Sequence, residues 1–301
     1  MPIVVGVDAG GTSTRALAEH DGIEGKLAVE NGANVRFVGV EAAAITIGRA
    51  VEQTLNGAPA DAIYVGVAGG GAQSMRDNLR EALERQFHGT TINVSDDVHI
   101  ALRAGAPEGD AIAVISGTGS IACADVGGRY LRSGGYGYLV GDEGSAYAIG
   151  RAAINLTLRS YDERVPREPL FERIEEHLSA RGTQRVLDAI YLGAEPLQAI
   201  AALAPLVLLA ASDGERSATK IVQGAALELF ELVKSIVRLA KAERSEIPLV
   251  LSGGVFLNNS LLTYLLETRV TSEFPLLIVT KDAPRPIYGA LALARALAAS
   301  P

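Results

Sequence analysis

The chain has few side chains suited to metal binding or cross-linking, with one cysteine and four histidines among 301 residues. The single cysteine, Cys123, lies in an apolar segment and excludes a disulfide framework. One thiol cannot by itself hold a structural zinc ion or an iron–sulfur cluster. The histidines show no His-Glu-x-x-His pattern, which argues against a zinc hydrolase. We therefore expect Cys123 to be a buried structural thiol.

Excess basic charge and long hydrophobic runs are also missing. The formal net charge is −8, and the sequence contains no prominent Lys/Arg cluster. Both features argue against a nucleic-acid or anionic-membrane surface. The longest apolar run, Ala199–Ala211, is shorter than the roughly 20 residues that cross a bilayer. The first residues carry no basic-then-apolar signal. We therefore expect a cytoplasmic protein without nucleic-acid or membrane partners.

Apolar residues are abundant, at 48% against 21% charged residues, which is typical of a globular protein with little disorder. The length favours two domains with a cleft between them. Helical spacing of apolar residues predicts helices over 40–55 and 216–244 and from about Asn259. Pro286 begins an Ala-rich helix whose small side chains allow close packing.

The chain opens with a strand, a tight turn and a second strand. The turn consists of glycines and hydroxyl residues: Gly10, Gly11, Thr12, Ser13 and Thr14. Glycines let successive N–H groups turn toward a bound oxyanion, and Asp8 before them is placed to hold a hydrated magnesium ion. A phosphate-binding turn is favoured, with an ordinary glycine hairpin as the alternative. No lysine follows as in a Walker A loop, and the Gly-x-Gly-x-x-Gly spacing of dinucleotide folds is absent.

The same pattern recurs about a hundred residues later. A strand over 111–116 precedes a second turn, made of Gly117, Thr118, Gly119 and Ser120. A chance repeat is the alternative, but the shared order of apolar, glycine and hydroxyl residues favours a duplicated domain with one phosphate turn in each copy. We place the domains at 1–110 and 111–301, with the C-terminal helix 287–299 as a candidate to join the first.

An acidic pair, Asp96 and Asp97, lies where a strand ends and a helix begins. One carboxylate suffices to cap the helix, and groups at the carboxyl ends of strands face the ligand crevice in such architectures. We therefore assign Asp97 as general base and Asp96 as cap. A plain capping pair is the alternative.

Several polar or glycine-rich loops are candidates for ligand contact. Asn34 offers a donor and an acceptor to a sugar hydroxyl or acetamido group, although a loop asparagine is also an ordinary turn residue. Segment 134–150 suits a polar ring with several hydroxyls, and a surface loop before a capped helix is its alternative. Gly253 and Gly254 would let a flat ring such as adenine lie against the backbone. Gly69–Gly71 approach either a substrate or another loop.

Four segments together resemble the N-acetylglucosamine kinase branch of the BadF/BadG/BcrA/BcrD ATPase family. They are Asp8-Ala9-Gly10-Gly11-Thr12, Ser116-Gly117-Thr118-Gly119-Ser120, Gly141-Asp142-Glu143-Gly144-Ser145-Ala146-Tyr147 and Ser252-Gly253-Gly254-Val255. They follow the family's order over nearly the whole chain, while 160–215 carries no matching motif. The resemblance implies an α/β fold with a duplicated ribonuclease-H-like domain, as in actin, Hsp70 and hexokinase, in which two domains flank a nucleotide and sugar cleft.

The resemblance also implies roles for individual residues. Those implied for ATP are Gly10, Gly11, Thr12, Ser13, Gly117, Thr118, Gly119, Ser120, Gly253 and Gly254. Those implied for the sugar are Asn34, Asp97, Gly135, Tyr136 and Asp142. Asp8 would act on Mg²⁺ through water, and Asp97 would lie at the reacting hydroxyl. Some relatives carry tryptophan where Tyr136 stands, a departure that bears on the stacking surface and the sugar preference.

The implied activity is transfer of the ATP γ-phosphoryl group, with Mg²⁺, to the 6-hydroxyl of an amino sugar. N-acetylglucosamine is the first choice, and glucosamine, N-acetylmuramic acid or a broad range of hexoses are alternatives. A dehydratase-activating ATPase of the same family is another class, but it needs cysteine ligands that one thiol per chain does not supply. A nucleotide-dependent binding protein like Hsp70 or actin is a third. A homodimer is compatible with the resemblance.

Overall fold

The computed structural model describes residues 2–256, 261–281 and 285–299. Over these ranges the chain divides into two compact units, Met1–Gly109 with Asp282–Pro301, and Asp110–Lys281. The helix expected from about Asn259 has its described part at Leu261–Glu273. Asn259 itself lies outside the described residues.

The strands of each unit pair into a sheet. They are β1 (Ile3–Ala9), β2 (Ser13–His20), β3 (Ile23–Glu24), β4 (Ala28–Asn31), β5 (Ala62–Val67), β6 (Thr91–Asp96), β7 (Ala111–Ser116), β8 (Ser120–Val126), β9 (Arg129–Gly134), β10 (Pro248–Ser252) and β11 (Ile278–Thr280). The orders are β3-β2-β1-β5-β6, with β4 on β2, and β11-β10-β7-β8-β9.

The two sheets have the same topology. β1 is antiparallel to β2 and parallel to β5, and β5 is parallel to β6. In the second unit β7 is antiparallel to β8 and parallel to β10, and β10 is parallel to β11. The duplication inferred from the repeated glycine turn is therefore confirmed.

The described helices include those predicted over 40–55, over 216–244 and from Pro286. They are α1 (Val35–Val38), α2 (Val40–Leu55), α3 (Gln73–Glu84), α4 (Asp97–Gly105), α5 (Ala146–Tyr161), α6 (Pro169–His177), α7 (Thr183–Tyr191), α8 (Pro196–Ala201), α9 (Ala204–Ser212), α10 (Arg216–Ala240), α11 (Leu261–Glu273) and α12 (Pro286–Ala299). The prediction of α2 is confirmed. The helix predicted over 216–244 ends at Ala240, because Lys241 adopts the left-handed conformation with φ +56° and closes the helix.

Close packing of small residues seats α12 in the first unit. A Cβ atom on Gly289 would lie 1.9 Å from the Ile100 carbonyl oxygen in α4, and one on Gly6 would lie 2.5 Å from the Leu291 nitrogen. Side chains alternate between the two sheet faces, so Val5 and Val7 enter one core while Val4 enters the core with α4 and α12. The close packing predicted for the Ala-rich helix is confirmed.

In the second unit, α5 to α11 and the sheet enclose the larger core. Cys123 is fully buried in β8, as expected of a structural thiol. Among the described helices, none is by itself both long and apolar enough to span a bilayer. Pro196–Ser212 and Arg216–Ala240 meet that test only together, with a 112° bend between them.

Candidate active site

The first glycine turn is closed by its own backbone and open on its outer side. The Gly10 N–H donates to the Ser13 carbonyl oxygen at 3.0 Å, while Gly11 and Thr12 are exposed. Exposed N–H groups in such a turn can receive an oxyanion. Thr14 is fully buried, so the expectation that its hydroxyl contributes to the turn is wrong.

Gly32, which follows β4, supports this turn from behind. A Cβ atom on Gly32 would lie 1.9 Å from the Gly11 carbonyl oxygen and 3.0 Å from the Thr12 nitrogen. The next residue, Ala33, donates its N–H to the Gly10 carbonyl oxygen at 3.0 Å. Gly32 was not predicted as a site residue, and its place in a run of turn-forming residues is the signal that the sequence offers for it.

Asp8, near the end of β1, carries a carboxylate that the protein compensates only weakly. Its side chain is 14% exposed, and its ion-pair partner Arg15 is 3.7 Å away and 41% exposed. Burial raises the pKa of Asp8, and the positive charge of Arg15 lowers it by less. A divalent cation beside Asp8 would offset the cost of burying the charge.

The donor set fits the magnesium ion that the resemblance implies. Within the described ranges, no three or more His, Cys, Asp or Glu side chains group to hold a metal ion unaided. Magnesium in phosphoryl-transfer sites uses one or two carboxylates, the substrate phosphates and retained water. Asp8 would supply one such carboxylate, at the strand end that leads into the exposed turn.

Of the two acidic residues at the start of α4, Asp96 has the capping role that the sequence predicts. Asp96 is 2% exposed, and its Oδ1 accepts the His99 N–H at 3.0 Å, so it caps α4. Asp97 is the first residue of α4 and is partly exposed. The strand register aligns Ser95 with Asp8 across β6, β5 and β1, so Asp97 follows directly at the same edge of the sheet. A helix N-terminus favours an ionised carboxylate, the form that a general base needs.

Asn34 caps the short helix α1, and its Oδ1 accepts the Arg36 N–H at 3.1 Å. This bond leaves the side-chain NH₂ as the donor for a ligand. Gly69, at φ +78°, lies so close that a Cβ atom there would be 2.3 Å from Asn34 Oδ1. Of the two interpretations of Gly69–Gly71, the structure favours contact with another loop for Gly69.

In the second unit, the Gly-Asp-Glu-Gly-Ser block packs directly on the second glycine turn. Ser116 Oγ donates to the Gly144 carbonyl oxygen at 3.0 Å, and Ser120 Oγ donates to the Glu143 carbonyl oxygen at 2.6 Å. The first N–H of α5 donates to the Gly117 carbonyl oxygen at 2.8 Å. The implied phosphate turn and the implied sugar segment therefore form one structure.

Asp142 lies at the centre of this contact, in the left-handed region at φ +60°. Burial raises the pKa of Asp142, N–H groups of Ser120 and Gly137 that donate to its carboxylate lower it, and the Glu143 charge raises it further. The net shift is upward. The N–H and hydroxyl of Ser120 are thus both used within the protein, while Thr118 in the same turn is exposed.

Gly253 and Gly254 follow β10 and differ in their surroundings. A Cβ atom on Gly253 would lie 2.3 Å from the Ser116 carbonyl oxygen, whereas one on Gly254 would have nothing within 4 Å. The Val255 N–H donates to the same Ser116 oxygen at 3.1 Å. Gly253 therefore packs on the strand before the second turn, and Gly254 leaves open surface where a flat ring could lie.

The remaining implied sugar residues, Gly135 and Tyr136, follow β9. Gly135, at φ +71°, packs on β8, where a Cβ atom would lie 2.5 Å from Ile121 Cδ1. The Tyr136 side chain is 72% exposed and is available for stacking. A cavity of about 440 Å³ lies beside this segment, lined in part by Tyr138 and Arg151. None of the implied ligand residues lines that cavity, so we do not assign it to the substrate.

The chain matches the model of the BadF/BadG/BcrA/BcrD ATPase family over residues 5–294. It is 31% identical over 235 residues to an N-acetylmuramic acid/N-acetylglucosamine kinase of Clostridium acetobutylicum, which covers 78% of this chain and 77% of that protein. It is 28% identical to an N-acetyl-D-glucosamine kinase of Dictyostelium discoideum, with 97% of each chain covered.

The fold agrees with solved structures. A crystal structure from Chromobacterium violaceum, provisionally named an N-acetylglucosamine kinase, superposes with a TM-score of 0.76 at 25% identity and covers 98% of this chain and 99% of that one. Together with the repeated sheet topology, this likeness confirms the predicted α/β fold, the duplicated ribonuclease-H-like fold of actin-like ATPases.

Proposed function

The chain belongs to the BadF/BadG/BcrA/BcrD ATPase family, and on that premise we propose that it is an ATP-dependent amino sugar kinase. The structural observation that carries the proposal is the equivalent position of the two glycine turns. Each turn joins the two antiparallel strands at the centre of its sheet. Each is also packed against a segment that contains one residue implied for the sugar, Asn34 in Gly32–Asn34 and Asp142 in Gly141–Ser145.

We propose the 6-hydroxyl of N-acetylglucosamine as the acceptor. Its oxygen attacks the γ-phosphorus of ATP, the bond from that phosphorus to the bridging oxygen breaks, and ADP leaves. Asp97 accepts the hydroxyl proton, a contribution that is typically about 10²–10⁴-fold. The partly exposed position of Asp97 at the N-terminus of α4 supports this role.

Positioning and charge neutralisation account for most catalysis in phosphoryl transfer. The N–H groups of the exposed residues Gly11 and Thr12 would hold phosphate oxygens, as would those near the exposed Thr118 in the second turn. Magnesium bound with ATP neutralises charge on the phosphates, and Asp8 would hold it through water. Asn34 would orient the sugar through its NH₂ group, and Tyr136 would stack on it.

The alternative of a dehydratase-activating ATPase is not favoured by the described site. Such a protein needs thiolate ligands for a cluster shared between subunits, and the single thiol, Cys123, has no exposed surface. A binding protein like Hsp70 or actin would hydrolyse ATP without a small acceptor. Sugar-stimulated ADP release separates this alternative from a kinase.

The test is a coupled ADP-release assay with ATP, Mg²⁺ and a panel of N-acetylglucosamine, glucosamine, N-acetylmuramic acid and glucose. We expect the highest kcat/KM with N-acetylglucosamine and a 6-phosphate product by ³¹P nuclear magnetic resonance. The matched control is 6-deoxy-N-acetylglucosamine, which lacks the acceptor and should bind without turnover. ADP release that no sugar stimulates would overturn the proposal.

The partners that we propose are ATP and a small sugar, in the cytoplasm. Homodimer formation stays a prediction, which sedimentation velocity of the purified protein tests directly.

A further inference from the structure

The triple-glycine turn after β5 is held by one side chain from the helix that follows it. Arg76 in α3 donates from Nη1 to the Gly70 carbonyl oxygen at 2.5 Å and to the Gly71 carbonyl oxygen at 3.1 Å. Its Nη2 donates to Gln73 Oε1 at 2.5 Å. Among the described residues, the Arg76 guanidinium pairs with no carboxylate. Nη1 holds the backbone of the turn, and Nη2 is held by a side chain of the same helix.

The turn that Arg76 holds is packed against Asn34. Gly69 leaves no room for a side chain, because a Cβ atom there would lie 2.3 Å from Asn34 Oδ1 and 3.0 Å from the Arg36 nitrogen. The Ala68 carbonyl oxygen accepts the Val35 N–H at 3.1 Å. The turn therefore contacts both the side chain of Asn34 and the backbone beside it.

We propose that Arg76 is a positioning residue for the sugar site. It holds the Gly69–Gly71 turn in the shape that fixes the side-chain amide of Asn34. This inference rests on the proposed function, in which Asn34 donates to the sugar. It assigns to the triple-glycine turn the task of supporting a ligand-binding side chain.

The geometry explains why an arginine suits this place. Its planar guanidinium presents several donors in a fixed fork, so one side chain reaches two successive carbonyl oxygens and Gln73 together. Those carbonyl oxygens belong to a turn in which Gly69 has a φ angle of +78°, and because glycines fix the backbone weakly, the bonds from Arg76 restrict its conformation. A lysine would supply a single ammonium group and restore only part of the contact.

The matched control is Arg80, one helical turn further along α3. Its Nη1 lies 3.1 Å from Glu84 and its Nη2 lies 3.8 Å from Asp77, both on the same helix. Arg80→Met therefore removes the same chemical group from the same helix without touching the glycine turn. Arg76→Met removes the donors to the turn, and Arg76→Lys keeps the positive charge but presents its donors from a single nitrogen.

The test measures the sugar dissociation constant by calorimetry without nucleotide, together with steady-state KM and kcat. For Arg76→Met we expect sugar Kd and KM to rise roughly tenfold, the loss of about one well-aligned hydrogen bond. We expect kcat and the KM for ATP to stay within about twofold. Arg76→Lys should fall between Arg76→Met and the unmodified protein, and Arg80→Met should leave all values and the melting temperature unchanged.

A double-mutant cycle with Asn34→Ser shows whether Arg76 acts through Asn34. Serine keeps a helix-capping oxygen but lacks the NH₂ donor. If the inference holds, Arg76→Met has little further effect on sugar Kd in the Asn34→Ser protein. Equal effects in both backgrounds, or an unchanged Kd in Arg76→Met, would overturn the role of Arg76 and leave the kinase proposal standing. Unmodified protein that neither binds nor phosphorylates any sugar would overturn both.

Discussion

The carboxylate of Asp142 lies against Gly119 in the second glycine turn, where a Cβ atom on the glycine would be 2.7 Å from Oδ2. The same carboxylate accepts N–H groups of Ser120 and Gly137. A residue implied for the sugar thus also shapes the turn implied for the ATP phosphates. Under the proposed function, Asp142 would link the sugar site and the phosphate turn within one unit.

Asp142→Asn should therefore weaken the binding of both ATP and the sugar. The amide keeps one acceptor oxygen but places an NH₂ group among N–H donors, which disfavours the present arrangement. We expect the KM values for ATP and for the sugar each to rise roughly tenfold. Asp162→Asn is the control, because Asp162 is 52% exposed and pairs with Arg164. A rise for the sugar alone would contradict the coupling.

Asp97→Asn should remove the proton acceptor while the sugar still binds. Asparagine keeps the size and can still contact a hydroxyl, but it is not a base at neutral pH. We expect kcat to fall by roughly 10²–10⁴-fold with sugar Kd within about threefold by calorimetry. Near-normal turnover would refute the assignment of Asp97.

Asp8→Asn should maintain or raise the stability of the fold while lowering the activity. Burial raises the pKa of Asp8 in the folded protein, so the ionised carboxylate costs folding free energy above its ordinary pKa, and the cost is relieved as pH falls. We expect Asp8→Asn to be at least as stable as the unmodified protein at pH 7. The difference should shrink as pH falls toward 3.8, the ordinary pKa.

The same variant should lose most of its response to Mg²⁺. Urea unfolding at several pH values and kcat against Mg²⁺ concentration are the two measurements. A large loss of stability at pH 7 would contradict the weakly compensated charge, and full activity would contradict the metal role.

Gly32→Ala should weaken nucleotide binding by displacing the first glycine turn. Gly32 has no positive φ to preserve, so the effect is steric, from a Cβ atom 1.9 Å from the Gly11 carbonyl oxygen. We expect ADP Kd by calorimetry to rise tenfold or more, by roughly 1.4 kcal/mol per factor of ten. Gly25→Ala is the control, because its Cβ atom would meet the Ala18 carbonyl oxygen at an ordinary 3.4 Å.

Glu175 in α6 should stabilise the second unit in a pH-dependent manner. Burial pushes the pKa of Glu175 up, but hydrogen bonds from Arg167 and Tyr161 and the charges of Arg167 and Arg181 outweigh it and hold the pKa below its usual 4.5. This stabilisation is present above pH 4.5 and is lost as pH falls through the lowered pKa. Glu175→Gln should cost about 1.5–3 kcal/mol at neutral pH.

Thermal unfolding of Glu175→Gln from pH 7 to well below the usual pKa of 4.5 checks this prediction, with the exposed neighbour Glu176→Gln as control. The difference in melting temperature between the two variants should become smaller as the pH is lowered. A constant gap would show that the ion pair does not account for the stability of this helical region.

Local sequence patterns predicted the features that depend on residues close together in the chain. Glycines and hydroxyl residues after β-branched runs predicted both turns, and the acidic pair predicted the cap at Asp96, because a cap bonds to an N–H three residues away. The repeat of strand, turn and strand predicted the duplication. Thr14 was misassigned because the face of a strand that a side chain occupies depends on pairing, which places Thr14 in the core opposite Ala9.

Contacts between distant segments were beyond such patterns. Residues 160–215 offered no motif, yet they contain the buried Glu175 with partners on three different segments. Gly32 and Arg76 were equally unmarked, because a turn-forming glycine and a helical arginine are common in any chain. Their roles depend on the residues that they contact in the folded protein.

Residue types at short spacing were enough to predict the two phosphate-turn candidates and the duplication, and the resemblance carried by those motifs implied the α/β fold and the class of reaction to test. Three contacts are evident only in the folded chain: Asp142 packs on the second turn, Gly32 supports the first, and Arg76 holds the glycines beside Asn34. Short-range patterns restrict backbone angles and side-chain periodicity. Which surfaces come into contact depends on how segments far apart in the chain pack in the folded protein.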